Sequence, residues 1–172
     1  SREEGEQPKA LLAAACDSEV VLLVSGDPFA ATTHVSLRLQ CREAGVACRA
    51  VHNASVLTAV AGELGLQHYR FGPVATLVLP EDNYKPLSPA RQVLQNLELG
   101  FHSLVLLDIQ ADDPTAEPRL MTAHEGAALL QDGNVLPGTL ACAAARVGRS
   151  DQKLWAGLLG KIPNTNLGQT PH

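Results

Sequence analysis

The sequence predicts an α/β protein built from two small lobes. Short apolar runs alternate with helical segments along most of the chain. The first such runs, EVVLLVS at 19–25 and VACRAV at 46–51, end in turn residues, as strands buried on both faces of a parallel sheet do. The segment HYRFGP at 68–73 interrupts this alternation before a second series begins.

In the first lobe, strands and helices alternate as a βαβα unit. KALLAAA predicts a helix before the first strand, and a second helix is predicted over 33–44, capped by Thr32 or Thr33 and ended by Gly45. Ser55 is a suitable N-cap for the helix after the second strand. The crossovers should be right-handed and the strands parallel, which places ligands beyond the carboxyl ends of the strands.

The second lobe again alternates predicted strands and helices. Strands are predicted at 74–79 and 102–109, with a helix from Ser88 to Leu99 between them. Thr122 and Glu125 have the spacing of a capping box, and TLACAAARV predicts a further strand. The segment DQKLWAGLLGKI fits either a helix or a strand followed by a helix.

A domain boundary is predicted near Gly72, giving lobes 1–72 and 73–172 with a ligand cleft between them. The first lobe shows two clear strands, which are too few for an independent sheet. The chain also stops on His172 directly after a strand–helix sequence. We therefore expect the polypeptide to be truncated at both ends.

Composition excludes several classes of protein. Hydrophobic residues make up 45% and charged residues 18% of the 172 residues, which is a globular profile. No apolar run reaches the ~18 residues of a membrane span. The net charge is −5 and the basic residues are scattered, so direct nucleic-acid binding is not expected. The four cysteines lack metal-ligand spacing, which argues against a metal site. They are also too few for a disulfide scaffold in a chain of this size, so we expect buried or half-buried thiols in a reducing, cytoplasmic location.

Two loops at the predicted carboxyl edge carry candidate binding residues. SGDPFAATTH offers backbone amides, the Asp27 carboxylate and a helix N-terminus, which suit a ligand with an anionic group and hydroxyls. The same residues also make an ordinary strand-to-helix turn. His52 and Asn53 begin the second loop, HNAS, where they could support the cleft or simply satisfy loop backbone groups.

Six motifs together resemble the diphthine synthase family of the tetrapyrrole methylase superfamily. The resemblance extends from about Glu19 to Gly148, and the motifs stand in the family's order. They are SGDPFAATTH, VHNASVLTAV, GLQHYRFG, GFHSLVLLDI, MTAHEGAALL and AARVGRSDQK.

The resemblance implies two α/β domains that bind S-adenosylmethionine in the cleft between them and release S-adenosylhomocysteine. The family methylates a modified histidine, diphthine, of translation elongation factor 2 during diphthamide biosynthesis, at the amino group of a 3-amino-3-carboxypropyl extension. Eukaryotic members also methylate the carboxylate of that extension. Carried over motif by motif, the cofactor contacts fall on Asp27, Ala30, Ser55, Val56, Leu107, Ala145 and His172.

Asp27 is our choice for orienting the polar groups of the cofactor, while no catalytic residue is assigned. The sequence shows no obvious catalytic dyad, and an amine acceptor can lose its proton to water beforehand. The resemblance also implies a homodimer. Two alternatives stay open, namely another methyltransferase of the superfamily with a small-molecule substrate, and a truncated fragment that binds without catalysis.

Overall fold

The computed structural model describes residues 8–81, 84–111 and 116–172. The chain divides into two compact units, Ser1–Val56 and Leu57–His172, called the first and second unit below. The domain boundary expected near Gly72 stays a prediction. Parts of two predicted loops, 82–83 and 112–115, lie outside the described residues.

The helices confirm most of the predicted helical segments to within a few residues. In chain order they are α1 Lys9–Asp17, α2 His34–Glu43, α3 Val56–Glu63, α4 Ser88–Glu98 and α5 Ala123–Asp132. Gly45 follows α2 with φ +69°, as expected for a glycine that ends a helix in the left-handed conformation. The Thr33 side chain makes no capping hydrogen bond, so this predicted cap is wrong.

The described strands all lie in the second unit and pair two by two. They are β1 Ala75–Thr76, β2 Val105–Leu106, β3 Ile109–Gln110, β4 Arg119–Leu120, β5 Leu140–Ala145 and β6 Lys153–Leu158. β1 and β2 are parallel, whereas β3 with β4 and β5 with β6 form antiparallel pairs. The undecided segment after Asp151 is therefore β6, followed by a 3₁₀ helix at Leu159–Asn164.

The two strands predicted in the first unit do not form ladders within the described residues. The runs 19–25 and 46–51 are not strands, and Val21, Leu23 and Val51 are 71%, 88% and 73% exposed. A strand is held by a neighbour that takes up its backbone N–H and C=O groups, and the described part of the chain sets none against these runs. The expectation of two buried parallel strands is corrected accordingly.

The core of the second unit is aliphatic and contains many alanines. It joins β1, α4, α5, β5 and the 3₁₀ helix at 159–164. A methyl group on Gly133 would lie 2.2 Å from Cβ of Ala90, so the absent side chain lets α5 approach α4 closely. On the β5–β6 ribbon, Ala143 pairs with Trp155 on the face that packs against the core.

The capping box at the start of α5 is confirmed. Thr122 Oγ1 accepts from the Glu125 backbone N–H at 3.2 Å, and the Thr122 N–H donates to Glu125 Oε2 at 2.7 Å. These bonds satisfy the backbone N–H groups of Thr122 and Glu125, which would otherwise lack partners at the start of the helix. They also hold the pKa of Glu125 below its usual range, chiefly through the Thr122 backbone N–H.

Replacing Thr122 with alanine is expected to lower the free energy of unfolding by about 1 kcal/mol, because the N-cap hydroxyl is lost. Urea denaturation of both proteins measures this difference. The matched control is Thr122→Ser, which keeps the hydroxyl and should stay close to wild type. An equal loss in the serine variant would contradict the assigned role of the hydroxyl.

Candidate functional site

The turn after the first apolar run is organised by the Asp27 carboxylate. Asp27 Oδ1 accepts from the Phe29 backbone N–H at 2.9 Å, and the Ala30 N–H donates to the Asp27 carbonyl at 3.3 Å. Gly26 has φ +75°, and a Cβ on it would lie 3.3 Å from the Ala54 carbonyl oxygen. The glycine therefore permits both the left-handed turn and its close approach to the loop at 52–55.

Asp27 also binds that second loop through its other oxygen. Oδ2 lies 2.7 Å from His52 Nδ1, and the Asn53 backbone N–H donates to it at 3.4 Å. The Phe29 N–H, the His52 side chain and the Asn53 N–H lower the pKa of Asp27, the Phe29 contribution being the largest. Asp27 is thus an ionised carboxylate with three protein donors at neutral pH.

The structure joins two residues that the sequence analysis did not connect. Asp27 and His52 form an Asp–His pair, in which the aspartate side chain is 16% exposed and the histidine side chain 68%. The residues are 25 positions apart, so no local motif reveals the pair. The available signal was that both follow apolar runs predicted to end at the same sheet edge.

Phe29 and Arg38 complete the surroundings of the imidazole. The Phe29 ring meets the His52 ring edge-on, with centroids 5.9 Å apart. The Arg38 guanidinium lies over the Phe29 ring, 5.4 Å from its centroid. Phe29 therefore limits the movement of His52 on one side, while most of the imidazole stays open to solvent.

Four predicted cofactor residues lie in or beside this pair of loops. Ala30 is in the Asp27 turn, and Ser55 and Val56 follow His52 at the start of α3. Ala30 and Ser55 are partly buried, whereas Val56 is 46% exposed. Within the first unit, the hydrogen bonds that Asp27 accepts from His52 and Asn53 bring these predicted residues close together.

The other three predicted residues, Leu107, Ala145 and His172, lie in the second unit. Hydrogen bonds at or beside them connect their segments. Leu107 precedes Asp108, whose carbonyl accepts from the Met121 N–H at 2.9 Å. Ala123 N–H, two residues later, donates to His172 Nδ1 at 3.0 Å. Ala145 is fully buried and precedes Arg146, whose N–H donates to the Pro171 carbonyl at 3.0 Å. Backbone groups at the start of α5 therefore bind the Leu107 and His172 segments, and Arg146 binds the Ala145 segment to the same C-terminal residues.

Arg146 holds the C-terminal segment and was not singled out from the sequence. Its guanidinium donates to the carbonyl oxygens of Asp151, Leu167 and Gln169, and it pairs with the Asp151 carboxylate at 2.9 Å. Its side chain is only 5% exposed. It fixes the carbonyl groups of the residues that lead to His172.

His172 is held at both ring nitrogens. Nδ1 accepts from the Ala123 N–H, which leaves Nε2–H to donate to the Gly168 carbonyl at 3.2 Å. This arrangement needs a neutral imidazole, because a protonated Nδ1 could not accept. Burial lowers the pKa of His172, as do the His124 ring and the Arg146 charge, although the Gly168 carbonyl acts in the opposite direction.

Acid is therefore expected to weaken the second unit through His172. The pKa in the folded chain lies below the ordinary 6.5, so the unfolded chain takes up the proton first as the pH falls. The stability that the neutral ring contributes is complete above about pH 6.5 and decreases below it.

Unfolding free energies at pH 7.5 and 5.5, measured for wild type and His172→Gln, test this expectation. Glutamine does not titrate, so the variant should lose less stability between the two pH values than wild type does. The same loss in both proteins would show that another group causes the pH dependence.

A shallow groove of about 610 Å³ also lies in the first unit, between α2 and the run that follows it. Its lining includes Val35, Arg38, Leu39 and Arg42 but none of the predicted cofactor residues. The groove is therefore lined by other residues than those of the Asp27 and His52 loops. Among the described residues, no helix has both the length and the apolar character needed to cross a membrane.

Comparison with known proteins gives a consistent result for family and fold. The family model for tetrapyrrole (corrin/porphyrin) methylases matches residues 1–163. Diphthine methyl ester synthase of Emericella nidulans is 38% identical over 180 residues, covering 94% of this chain and 63% of the relative. Diphthine synthase of Methanothermobacter thermautotrophicus is 36% identical over 178 residues, covering 99% of this chain and 66% of the relative.

Solved structures agree. A crystal structure of diphthine synthase matches with a TM-score of 0.84 and 29% identity, covering 100% of this chain and 65% of that chain. A crystal structure from Entamoeba histolytica, assigned as a diphthine synthase, matches with a TM-score of 0.85 and 31% identity. It covers 98% of this chain and 68% of that chain. The chain spans 63% and 66% of the length of the two curated relatives. The chain therefore belongs to the tetrapyrrole methylase family, and the relatives named above are diphthine synthases.

Proposed function

We propose that the chain is an S-adenosylmethionine-dependent methyltransferase of the diphthine synthase type. Its protein substrate is translation elongation factor 2, at the modified histidine of the diphthamide pathway. The observation that carries the proposal is the 36–38% identity to relatives named for this reaction, over nearly the whole of this chain. The motifs that carry the family resemblance include both loops that meet at Asp27.

The residues of the first unit fit the proposed cofactor. A carboxylate has about four acceptor positions, and three protein donors already bind Asp27, one at Oδ1 and two at Oδ2. One position is left, which suits a single hydroxyl or amino group of the cofactor. We propose that Asp27 makes this contact and that Ala30, Ser55, Val56, Leu107, Ala145 and His172 make the others.

S-Adenosylmethionine supplies a methyl group on a positively charged sulfur. The side chains of this chain then have to bind, orient and desolvate the reactants, since methyl transfer is an in-line displacement that gains most from positioning. The Asp27 turn is well suited to orientation because hydrogen bonds to Phe29, His52 and Asn53 fix its carboxylate.

Calorimetric titration with S-adenosylhomocysteine tests cofactor binding. One-to-one binding is expected, and Asp27→Ala should weaken it at least about tenfold, since a charge-assisted hydrogen bond contributes about 1.5–3 kcal/mol. The matched control is Asp17→Ala, which removes an exposed aspartate at the end of α1 and should leave the affinity unchanged. Equal affinities of all three proteins would exclude Asp27 as a cofactor contact.

A second experiment tests the reaction itself. The chain is incubated with methyl-labelled S-adenosylmethionine and elongation factor 2 that carries the unmethylated extension. Label on the factor supports the proposal, whereas no label on the factor overturns it for this chain. Label on an added small tetrapyrrole instead would favour the alternative small-molecule methyltransferase.

We also propose that the chain forms a homodimer and acts in the cytoplasm, as the family resemblance implies. Sedimentation equilibrium measures the mass in solution and so checks the homodimer directly. A mass of one chain at micromolar concentration would contradict it.

A further inference from the structure

The Asp27–His52 pair has the arrangement of a base and the residue that orients it. His52 Nδ1 lies 2.7 Å from Asp27 Oδ2, and the carboxylate is itself fixed by the Phe29 and Asn53 N–H groups. Because the ionised carboxylate accepts only, Nδ1 carries the proton and donates it. The neutral ring then has its lone pair on Nε2.

The basic nitrogen is on the open side of the ring. The His52 side chain is 68% exposed, although its Nδ1 edge is held by Asp27. A histidine that only tied two loops together would need no such exposure of the rest of its ring. The Phe29 contact, with centroids 5.9 Å apart, further restricts the ring orientation.

We infer that His52 is the general base of the methyl transfer and that Asp27 is the residue that positions it. The inference rests on the proposed function and deepens it, because an amine acceptor has to lose a proton. Alkyl ammonium groups have pKa values of about 8 to 10, so most of the acceptor is protonated, and unable to attack, at neutral pH. A base within reach of the bound ammonium can accept this proton at the site of transfer.

The proton and electron balance is simple. His52 Nε2 first accepts a proton from the acceptor ammonium group, which frees the nitrogen lone pair. The amine nitrogen then gives that lone pair to the methyl carbon, a nitrogen–carbon bond forms, and the carbon–sulfur bond breaks with its electron pair remaining on sulfur. The methylated nitrogen is again positively charged and keeps its two other protons. The imidazolium passes its proton to water, so that His52 can take a proton from the methylated ammonium before a further transfer.

The charged groups around the imidazole are compatible with this role. The Asp27 carboxylate faces Nδ1 and stabilises the imidazolium after proton transfer. The Arg38 guanidinium lies over the Phe29 ring that contacts His52.

The test is the pH–rate profile of methyl transfer by the 172-residue chain, together with S-adenosylhomocysteine affinity. His52→Asn keeps an N–H that can donate to Asp27 but has no basic nitrogen. Its rate at pH 7 should fall about 100-fold, as expected for loss of a general base, and should recover towards pH 9.5 as the amine deprotonates unaided. Its cofactor affinity should stay within about twofold of wild type.

His68→Asn is the matched control, since His68 is an exposed histidine of the second unit whose recorded ring contact is with Phe71. It should keep the wild-type rate and profile. If His52→Asn fails to fold, judged by circular dichroism, His52→Gln replaces it.

The inference is overturned if the His52 variant keeps the wild-type rate and profile at pH 7. It is also overturned if the variant loses rate equally at all pH values together with cofactor affinity, since that result indicates a structural role. In both cases wild type transfers label, so the proposed function stands. Absence of transfer by wild type would instead overturn the proposed function, and this inference with it.

Discussion

Replacing Arg146 with methionine is expected to lower the free energy of unfolding of the second unit by about 3–5 kcal/mol. The guanidinium donates to three backbone carbonyl oxygens and pairs with Asp151, while its side chain is only 5% exposed. Methionine fills similar space but donates nothing, so the carbonyl groups of Leu167 and Gln169 lose a partner. Guanidinium chloride denaturation, followed by circular dichroism, measures the loss.

Arg149→Met is the matched control for this prediction. Arg149 also pairs with Asp151, at 3.1 Å, but its side chain is 67% exposed. Exposed ion pairs contribute about 0–1 kcal/mol, so this variant should stay close to wild type. Equal losses in both variants would show that burial of the Arg146 guanidinium does not determine its contribution.

Sequence reasoning located the helices well because their signals are local. Thr122 and Glu125 mark the start of α5 by their spacing, and Gly45 marks the end of α2 by its conformational freedom. The β5 strand was also found, although alanine is a weak strand former, because its flanking residues favour an extended chain.

Strand pairing is less predictable because a strand depends on partners that its own residues do not specify. The apolar run at 19–25 resembles a buried strand, yet Leu23 is 88% exposed in the structure. Composition shows that such a run can be buried, but a buried strand needs neighbouring strands at its edges and helices on its faces. A single segment carries no information about whether those neighbours are present.

The candidate site was likewise predictable in its local motifs but not in its long-range contacts. The GDPF turn and the HNAS loop were both found from their sequence, and each was placed at the end of an apolar run. The 2.7 Å contact between Asp27 and His52 was not found, because it joins residues 25 positions apart. Arg146 was missed for a related reason, since its acceptors are backbone carbonyl groups that no residue type identifies in advance.

Asn96 is the second position where a single change is expected to have a large effect. The residue is 1% exposed, and its Nδ2 donates at 2.9 Å to the Pro73 carbonyl and at 2.9 Å to Ser103 Oγ. Gln92 Nε2 donates to its Oδ1 at 3.2 Å. The amide therefore ties α4 to the segments that lead into β1 and β2, and all of its donors and its acceptor are used.

Asn96→Asp keeps the size of the side chain and replaces the Nδ2 donor with an oxygen. At pH 7 the variant should lose about 3 kcal/mol of unfolding free energy, because a buried carboxylate then faces the Pro73 carbonyl oxygen. Burial raises the pKa of the new carboxyl in the folded chain above the ordinary value of about 3.9. The folded variant then binds its proton first as the pH falls, so its deficit relative to wild type should shrink on acidification.

Denaturation of variant and wild type at pH 7 and pH 4.5 gives the deficit at each pH. Gln95→Glu makes the same change from amide to acid on the exposed neighbouring position of α4 and should cost little at either pH. A deficit of Asn96→Asp that matches this control, or that does not change with pH, would contradict the view that the buried amide donor holds these segments together. A deficit that is large at pH 7 and smaller at pH 4.5 requires that the lost donor and the new buried charge, and not a change of shape, are responsible.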